Sequence, residues 1–169
     1  MSRLTARIAR LWGAFPAGFV LAAAVLVGCG DKSNAASGCG QPFREPLNPN
    51  SLQHVIDPAS VKYTTDPPTS GPHLFTTPPR GLVPRTLLPA EQVTVLETGD
   101  VLVQYRDATD ASLMQALSQT GVTIAPNATL KTRVVATAWT YKLECGGVDQ
   151  PSLQRFISAH KGQPQNVGR

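Results

Sequence analysis

The sequence predicts an extracytoplasmic α+β domain, with a single mixed β-sheet, two helices and a long proline-rich ordered loop. Three observations carry this prediction. The N-terminus is basic, then apolar, and ends in a cysteine; the middle is rich in proline; and the C-terminal half alternates short apolar runs with two helical patterns. The chain has 169 residues, which is enough for about one domain.

Residues 1–28 are predicted to be a lipoprotein signal peptide. Three arginines are the only charges in this segment, and residues 11–28 are apolar apart from glycine and one proline. The stretch LVGC at 26–29 has the pattern of a bacterial lipobox, in which the cysteine is lipidated and cleavage precedes it. We therefore expect acyl chains such as palmitate on Cys29. They would anchor the protein to the cell membrane or outer membrane, facing the periplasm or the cell exterior. The alternative is an uncleaved signal anchor, since these 18 residues approach the ~20 that span a bilayer.

The charge balance argues against a nucleic-acid partner. Of the 15 Lys and Arg residues, three lie in the signal segment, which leaves 12 basic against 11 acidic residues, a net charge of +1. The remaining chain has no Lys/Arg cluster of the kind that binds phosphate backbones. The expected partners are the membrane, through the lipid anchor, and an envelope protein or small ligand.

Two cysteines remain once Cys29 is assigned to lipid. In an oxidising compartment Cys39 and Cys145 have one possible pairing, which predicts a disulfide. The bridge would close a loop of about 106 residues, worth up to about 4.7 kcal/mol in the chain-entropy model. Two unpaired buried thiols or a pair of metal ligands are the alternatives.

The composition divides the chain after the signal into a tether and a domain. Residues 29–53 are small, polar and rich in Pro, Gly, Asn and Ser, which is typical of a flexible tether. Residues 54–169 form the predicted single domain. Its first part, residues 54–90, is proline-rich and is interpreted as ordered irregular structure with one extended piece at 60–63.

The core elements follow from the apolar patterns. Strands are predicted at 93–96, 101–105, 122–124 and 134–139, and residues 140–145 either continue or pair with the last of these.

The two predicted helices have start signals. The first begins at Thr109 or Asp110 and carries an apolar stripe at Leu113, Met114 and Leu117. The second begins at Asp149 with Pro151 in its first turn, where the missing N–H costs nothing. Its apolar face consists of Leu153, Phe156, Ile157 and His160.

The ordered motifs resemble those of the bacterial domain-of-unknown-function 3105 family. That family has a Tyr, then PPTSGPH, a glycine, VH-x-LEHG, a strand of the form V-x-(I/V)-x-Y, and an A-x-A-W or T-A-W ending. The matching pieces here are Tyr63, residues 67–73, Gly81, residues 93–99, residues 101–105 and residues 136–139. The resemblance spans residues 54–160 and implies an extracytoplasmic, often membrane-attached protein. It implies no particular reaction.

The departures from the family pattern bear on metal binding. Where the family has two histidines in VH-x-LEHG, this chain has Thr94 and Thr98. The family set of loop His, two further His and Glu would suit zinc, copper or iron. This chain keeps only His73 and Glu97 of that set, and His54 could contribute, because a His also precedes the loop in the family.

The candidate pocket therefore comprises Ser70, His73, Glu97 and His54. Ser70 is not in a G-x-S-x-G elbow and has no Asp orienter beside His73, so we predict no catalytic residues and no enzyme. We also predict no cofactor and no metal. The sequence favours a non-catalytic binding or scaffolding lipoprotein in which His73 first serves the fold. The alternative is a divalent-metal-binding lipoprotein using His54, His73 and Glu97.

Overall fold

The computed structural model describes residues 38–163. The predicted signal peptide, residues 1–28, and the predicted lipidation site Cys29 lie outside the described residues. Within residues 38–163, no helix is both long and apolar enough to cross a bilayer.

The centre of the fold is a mixed sheet of six strands in the order β1-β8-β7-β5-β6-β4. β5 and β4 each run parallel to β6, whereas β5–β7, β7–β8 and β8–β1 are antiparallel. The other two strands, β2 and β3, form a separate parallel pair. The strands are β1 (Phe43–Arg44), β2 (His54–Val55), β3 (His73–Leu74), β4 (Gly81–Leu82), β5 (Val101–Tyr105), β6 (Val122–Pro126), β7 (Val134–Ala138) and β8 (Tyr141–Cys145).

Three helices cover the two faces of the sheet. They are α1 (Pro89–Glu97), α2 (Ala111–Met114), which is flanked by 3₁₀ turns, and α3 (Gln150–His160). α1 packs on the face that carries Leu102, while α2 and α3 pack on the face that carries Val101 and Val103. The alternation of side chains along β5 thus supplies two cores, one on each side. The α+β class with a mixed sheet is confirmed.

The strand predicted at 93–96 is wrong, because these residues lie inside α1. Residues 38–163 therefore contain three helices where two were predicted. Pro89 occupies the first helical turn, and the Glu91 carboxylate accepts the N–H of Leu88 (2.8 Å) and pairs with Arg85. Residues 92–96 are all buried, Gln92 and Thr94 among them, so the apolar residues of the helix show no 3.6-residue period. Packing on both sides outweighs the low helix propensity of the β-branched residues.

The predicted flexible tether, residues 29–53, is wrong from Cys39 onward. β1 pairs with β8, with Arg44 opposite Tyr141, and Gly40 N–H donates to the Glu144 carbonyl oxygen (2.9 Å). The segment has few apolar residues, because β1 contributes only two residues to the sheet edge. Its composition therefore does not indicate a strand. The extended piece predicted at 60–63 begins in a 3₁₀ turn, Pro58–Ser60, and pairs with no strand of the described chain.

Other predicted elements agree with the structure. β8 pairs with β7 across the two-residue connection 139–140. The carboxylate of Asp149 accepts the backbone N–H of Ser152 (3.1 Å) at the start of α3, and Leu153, Phe156 and Ile157 are buried. The Cys39–Cys145 disulfide is confirmed.

Candidate functional site

The PPTSGPH loop, residues 67–73, is buried along its whole length. Its backbone is bonded to neighbouring segments at several points: Thr69 O accepts Thr140 N–H (2.9 Å), and His73 N–H donates to Gln53 O (3.1 Å). Ser70 Oγ accepts the N–H of Asn48 (3.0 Å). The loop is therefore an internal part of the fold and its polar atoms are engaged there.

Tyr63 fixes the end of this loop. Its hydroxyl donates to the carbonyl oxygen of Pro72 (2.5 Å), and burial raises the pKa of Tyr63 to about 12. Gly71 has φ 138°, and a Cβ there would lie 2.9 Å from the Tyr63 ring. Both the backbone conformation and the close approach of the ring thus require glycine.

A buried ion pair ties the loop to the sheet. Glu45 follows β1, and its Oε2 accepts the hydroxyls of Thr65 (3.0 Å) and Thr69 (2.6 Å). Its Oε1 lies 2.6 Å from Lys142 Nζ of β8, and the Lys142 and Glu45 side chains are 3% and 10% exposed. The carboxylate is satisfied on both oxygens, which is what a buried charge needs.

The predicted pocket residues are only partly brought together. His73 is buried, and its Nδ1 donates to Gly71 O (3.1 Å). The exposed His54 lies opposite it in the β2–β3 pair, with the ring centroids 4.7 Å apart. Glu97 is the last residue of α1. In the described part of the chain, no three His, Cys, Asp or Glu side chains are placed to hold a metal ion.

His73→Ala is expected to lower the free energy of unfolding by about 1–3 kcal/mol, because it leaves Gly71 O without its buried donor. Denaturant unfolding measures this. His54→Ala is the matched control, and its exposed ring predicts a change within about 0.5 kcal/mol. Equal losses in the two variants would contradict a structural role for His73.

A cavity of about 330 Å³ opens at the β7–β8 turn, between the ends of α1 and α3. We call it the Arg44 cavity. Its lining residues are Arg44, Leu47, Gly99, Ala138, Trp139, Thr140, Tyr141, Ala159, His160 and Gln163. The volume is at the small end of the range for ligand sites in proteins.

Thr140 holds the turn that forms the cavity floor. It has φ 61°, an uncommon conformation for a β-branched residue. Its N–H donates to Thr69 O, and its carbonyl oxygen accepts Glu45 N–H (2.8 Å). The PPTSGPH loop and β1 therefore stabilise a strained residue at a cavity, and strained residues concentrate at functional sites.

Four side chains form a column along one wall. The Arg44 guanidinium lies 6.0 Å from the Tyr141 ring centroid, as expected for cross-strand neighbours. The His160 ring lies 4.3 Å from that of Tyr141 and 4.5 Å from that of Phe156. Phe156 is in the core, so the column is fixed at its inner end.

Trp139 forms another wall of the cavity. Its indole packs against the core on the α1 side, and its buried Nε1–H has no partner in the described chain. An unsatisfied buried donor costs about 1–3 kcal/mol.

Burial lowers the pKa of His160 below its usual 6.5. The carbonyl end of a helix favours imidazolium, so desolvation outweighs the dipole here. The unfolded chain therefore takes up its proton at a higher pH than the folded chain does.

The stability contributed by neutral His160 is fully present above pH 6.5 and is lost as the pH falls through the lowered folded pKa. The free energy of unfolding is measured for the wild type and for His160→Gln as the pH is lowered from above 6.5. The wild type is expected to lose more stability in acid than His160→Gln does. Parallel curves for wild type and His160→Gln would contradict the assignment.

One family matches the chain. The family described as "Protein of unknown function (DUF3105)" matches residues 54–168, more than half of the chain. The chain belongs to this family. No curated protein and no solved structure matches it.

The DUF3105 match confirms the resemblance predicted from the loop and strand motifs. It covers the PPTSGPH loop, α1 and most of the cavity lining, whereas Arg44 and Leu47 precede its first residue. The DUF3105 region thus supplies the aromatic walls, and the segment before it supplies the cation.

Sequence reasoning missed the Arg44 cavity. Trp139, Tyr141 and His160 lie on a strand end, the next strand and a helix end, and only the fold brings them together. The WTY run at 139–141, with two aromatics around a turn, is the one local signal that points to it.

Proposed function

We propose that this protein is a lipid-anchored, non-catalytic binding module of the bacterial cell envelope that holds a small ligand in the Arg44 cavity. The observation that carries the proposal is the cavity itself. It has aromatic walls, an exposed cation and a strained turn held from behind by the PPTSGPH loop. In this proposal the PPTSGPH loop supports the turn at Thr140, and the ligand contacts the side of that turn that faces away from the loop.

The proposed location in the cell envelope rests on the lipobox at 26–29 and its cysteine, Cys29. The Cys39–Cys145 disulfide supports it, because such bridges persist in oxidising compartments. The metal-binding alternative depends on His54, His73 and Glu97, and the described residues include no three ligands placed for an ion. We therefore prefer the small-ligand site.

Cavity filling tests the binding role. Ala159 of α3 lines the cavity and is exposed, so Ala159→Trp should occupy it without disturbing the core. Ser158→Trp is the matched control, since Ser158 is exposed on the same helix outside the lining. The wild type and both variants are extracted in detergent from the membranes of the cells that produce them. Native mass spectrometry then measures the mass of each protein.

Wild type and Ser158→Trp are expected to carry a small molecule of the same mass, which Ala159→Trp lacks. Identical spectra from all three proteins, once the mass of each substitution is subtracted, would refute the binding role.

Cys29→Ala tests the anchor. Without the thiol no diacylglyceryl group can be attached, so the variant is expected to remain unprocessed or to leave the membrane. Metabolic labelling with palmitate should mark the wild type alone. A wild-type chain that begins at Met1 and carries no lipid would favour the signal-anchor alternative.

A further inference from the structure

The charge around the Arg44 cavity is positive and unopposed. Arg44 is the single formally charged residue among the ten described residues that line it, and none of them is Asp or Glu. Burial keeps His160 neutral near pH 7. An anion therefore meets one guanidinium and no like charge in the lining.

Arg44 differs from most other arginines of residues 38–163 in lacking a carboxylate partner there. Four others are paired: Arg80 with Asp100, Arg85 with Glu91, Arg106 with Asp107, and Arg133 with Asp110. Arg155 donates to Ser152 Oγ (2.8 Å) and does not line the cavity. No carboxylate of residues 38–163 thus occupies the planar N–H fork of Arg44, and the best match for that fork is a carboxylate or a phosphate.

The walls discriminate between these two anions. Tyr141 and Trp139 offer ring surfaces, Leu47, Ala138 and Ala159 add apolar surface, and Thr140, His160 and Gln163 add polar groups. A tetrahedral dianion needs several charged donors around it, and the lining supplies one, Arg44. A carboxylate on a flat apolar body needs one fork for its charge and ring surfaces for its body. The size agrees, because the cavity has the volume of about ten waters.

From this arrangement we infer that the Arg44 cavity takes a small carboxylate with a flat, apolar body, held by Arg44 and packed against the wall that Tyr141 and His160 form. This inference rests on the binding role proposed above and adds the class of ligand. Trp139 stands beside the site, and its buried indole N–H has no partner within residues 38–163. The part of the site that precedes residue 54 selects the charge, and the DUF3105 region selects the shape.

Benzoate is the probe, and benzamide is its uncharged counterpart of the same shape. The two tryptophans are Trp12, which lies in the proposed signal peptide, and Trp139, so the processed lipoprotein in detergent has Trp139 as its sole indole reporter. Fluorescence titrations at neutral pH are expected to give saturable binding of benzoate at least about tenfold tighter than that of benzamide, the low end for a charge-assisted bond. Cyclohexanecarboxylate, which has the charge without the flat ring, is expected to bind more weakly than benzoate.

Three variants test which residues bind benzoate and cause its preference over benzamide. Arg44→Gln should abolish the preference for benzoate over benzamide, whereas Arg155→Gln should retain it. Ala159→Trp should remove binding of both compounds. Far-ultraviolet circular dichroism and thermal unfolding confirm that each variant is folded before titration.

Three results would overturn the inference: no saturable benzoate signal, equal affinities for benzoate and benzamide, or a preference that survives Arg44→Gln. These results are separable from failure of the proposed function. If a co-purifying molecule is lost in Ala159→Trp while benzoate does not bind, the cavity is a binding site and the ligand class is wrong.

Discussion

Lys142→Met is expected to lower the free energy of unfolding by about 3–5 kcal/mol, the usual loss when one partner of a buried ion pair is removed. The methionine fills most of the volume of the lysine stem but leaves the Glu45 carboxylate buried without its cation. The two Thr hydroxyls on Glu45 Oε2 do not replace it. Denaturant unfolding monitored by circular dichroism measures the change.

Two further variants isolate the pair. Lys131→Met removes an exposed lysine that has no ion pair in the described chain, and it is expected to change stability by less than about 0.5 kcal/mol. Glu45→Leu combined with Lys142→Met should recover part of the loss, because no uncompensated charge then remains inside. A loss below about 1 kcal/mol in Lys142→Met alone would mean that the pair does not anchor the loop.

Removal of the disulfide is expected to cost about 2–5 kcal/mol. Cys39 and Cys145 are 106 residues apart, so the bridge restricts nearly the whole described chain in its unfolded state. Cys145 is fully buried in β8, and the bridge brings the segment before β1 onto the sheet edge. The Cys39→Ser/Cys145→Ser protein should melt at a lower temperature than the oxidised wild type.

Reduction of the wild type is the matched comparison, since it breaks the bond without changing the residues. Both treatments should shift the melting temperature by similar amounts. An unchanged melting temperature after complete reduction, verified by thiol labelling of the unfolded protein, would contradict this contribution.

The sequence predicted the fold where each element carries its own signal. Asp149 and Pro151 mark the start of α3, and the β-branched runs mark β5, β6 and β7. α1 was missed because the short run at residues 93–96 is rich in β-branched residues and has no helical period, which resembles a strand. Pro89 and Glu91 are a helix start signal, but the position of the Glu91 side chain depends on its pairing with Arg85, which the sequence alone does not show.

Long-range pairing accounts for the rest. β1 contributes two residues to the sheet, and Glu45 finds Lys142 at a separation of 97 residues. No local sequence pattern predicts either contact. The Arg44 cavity was missed for a related reason: the motif that draws attention, PPTSGPH, makes internal hydrogen bonds, and the cavity lies beyond the turn that this motif supports.

The position of the ligand tests the central claim most directly. Two-dimensional NMR of the ¹⁵N-labelled, processed lipoprotein in detergent gives one indole N–H signal, from Trp139, and separate signals from the ring nitrogens of His73 in the loop. On titration with benzoate, the Trp139 indole and the backbone amides of Arg44 and Tyr141 are expected to shift and saturate together, while the His73 ring stays in place. Saturable shifts at His73 and Ser70 with a stationary Trp139 indole would place the ligand in the loop and contradict the assignment of the site to the Arg44 cavity.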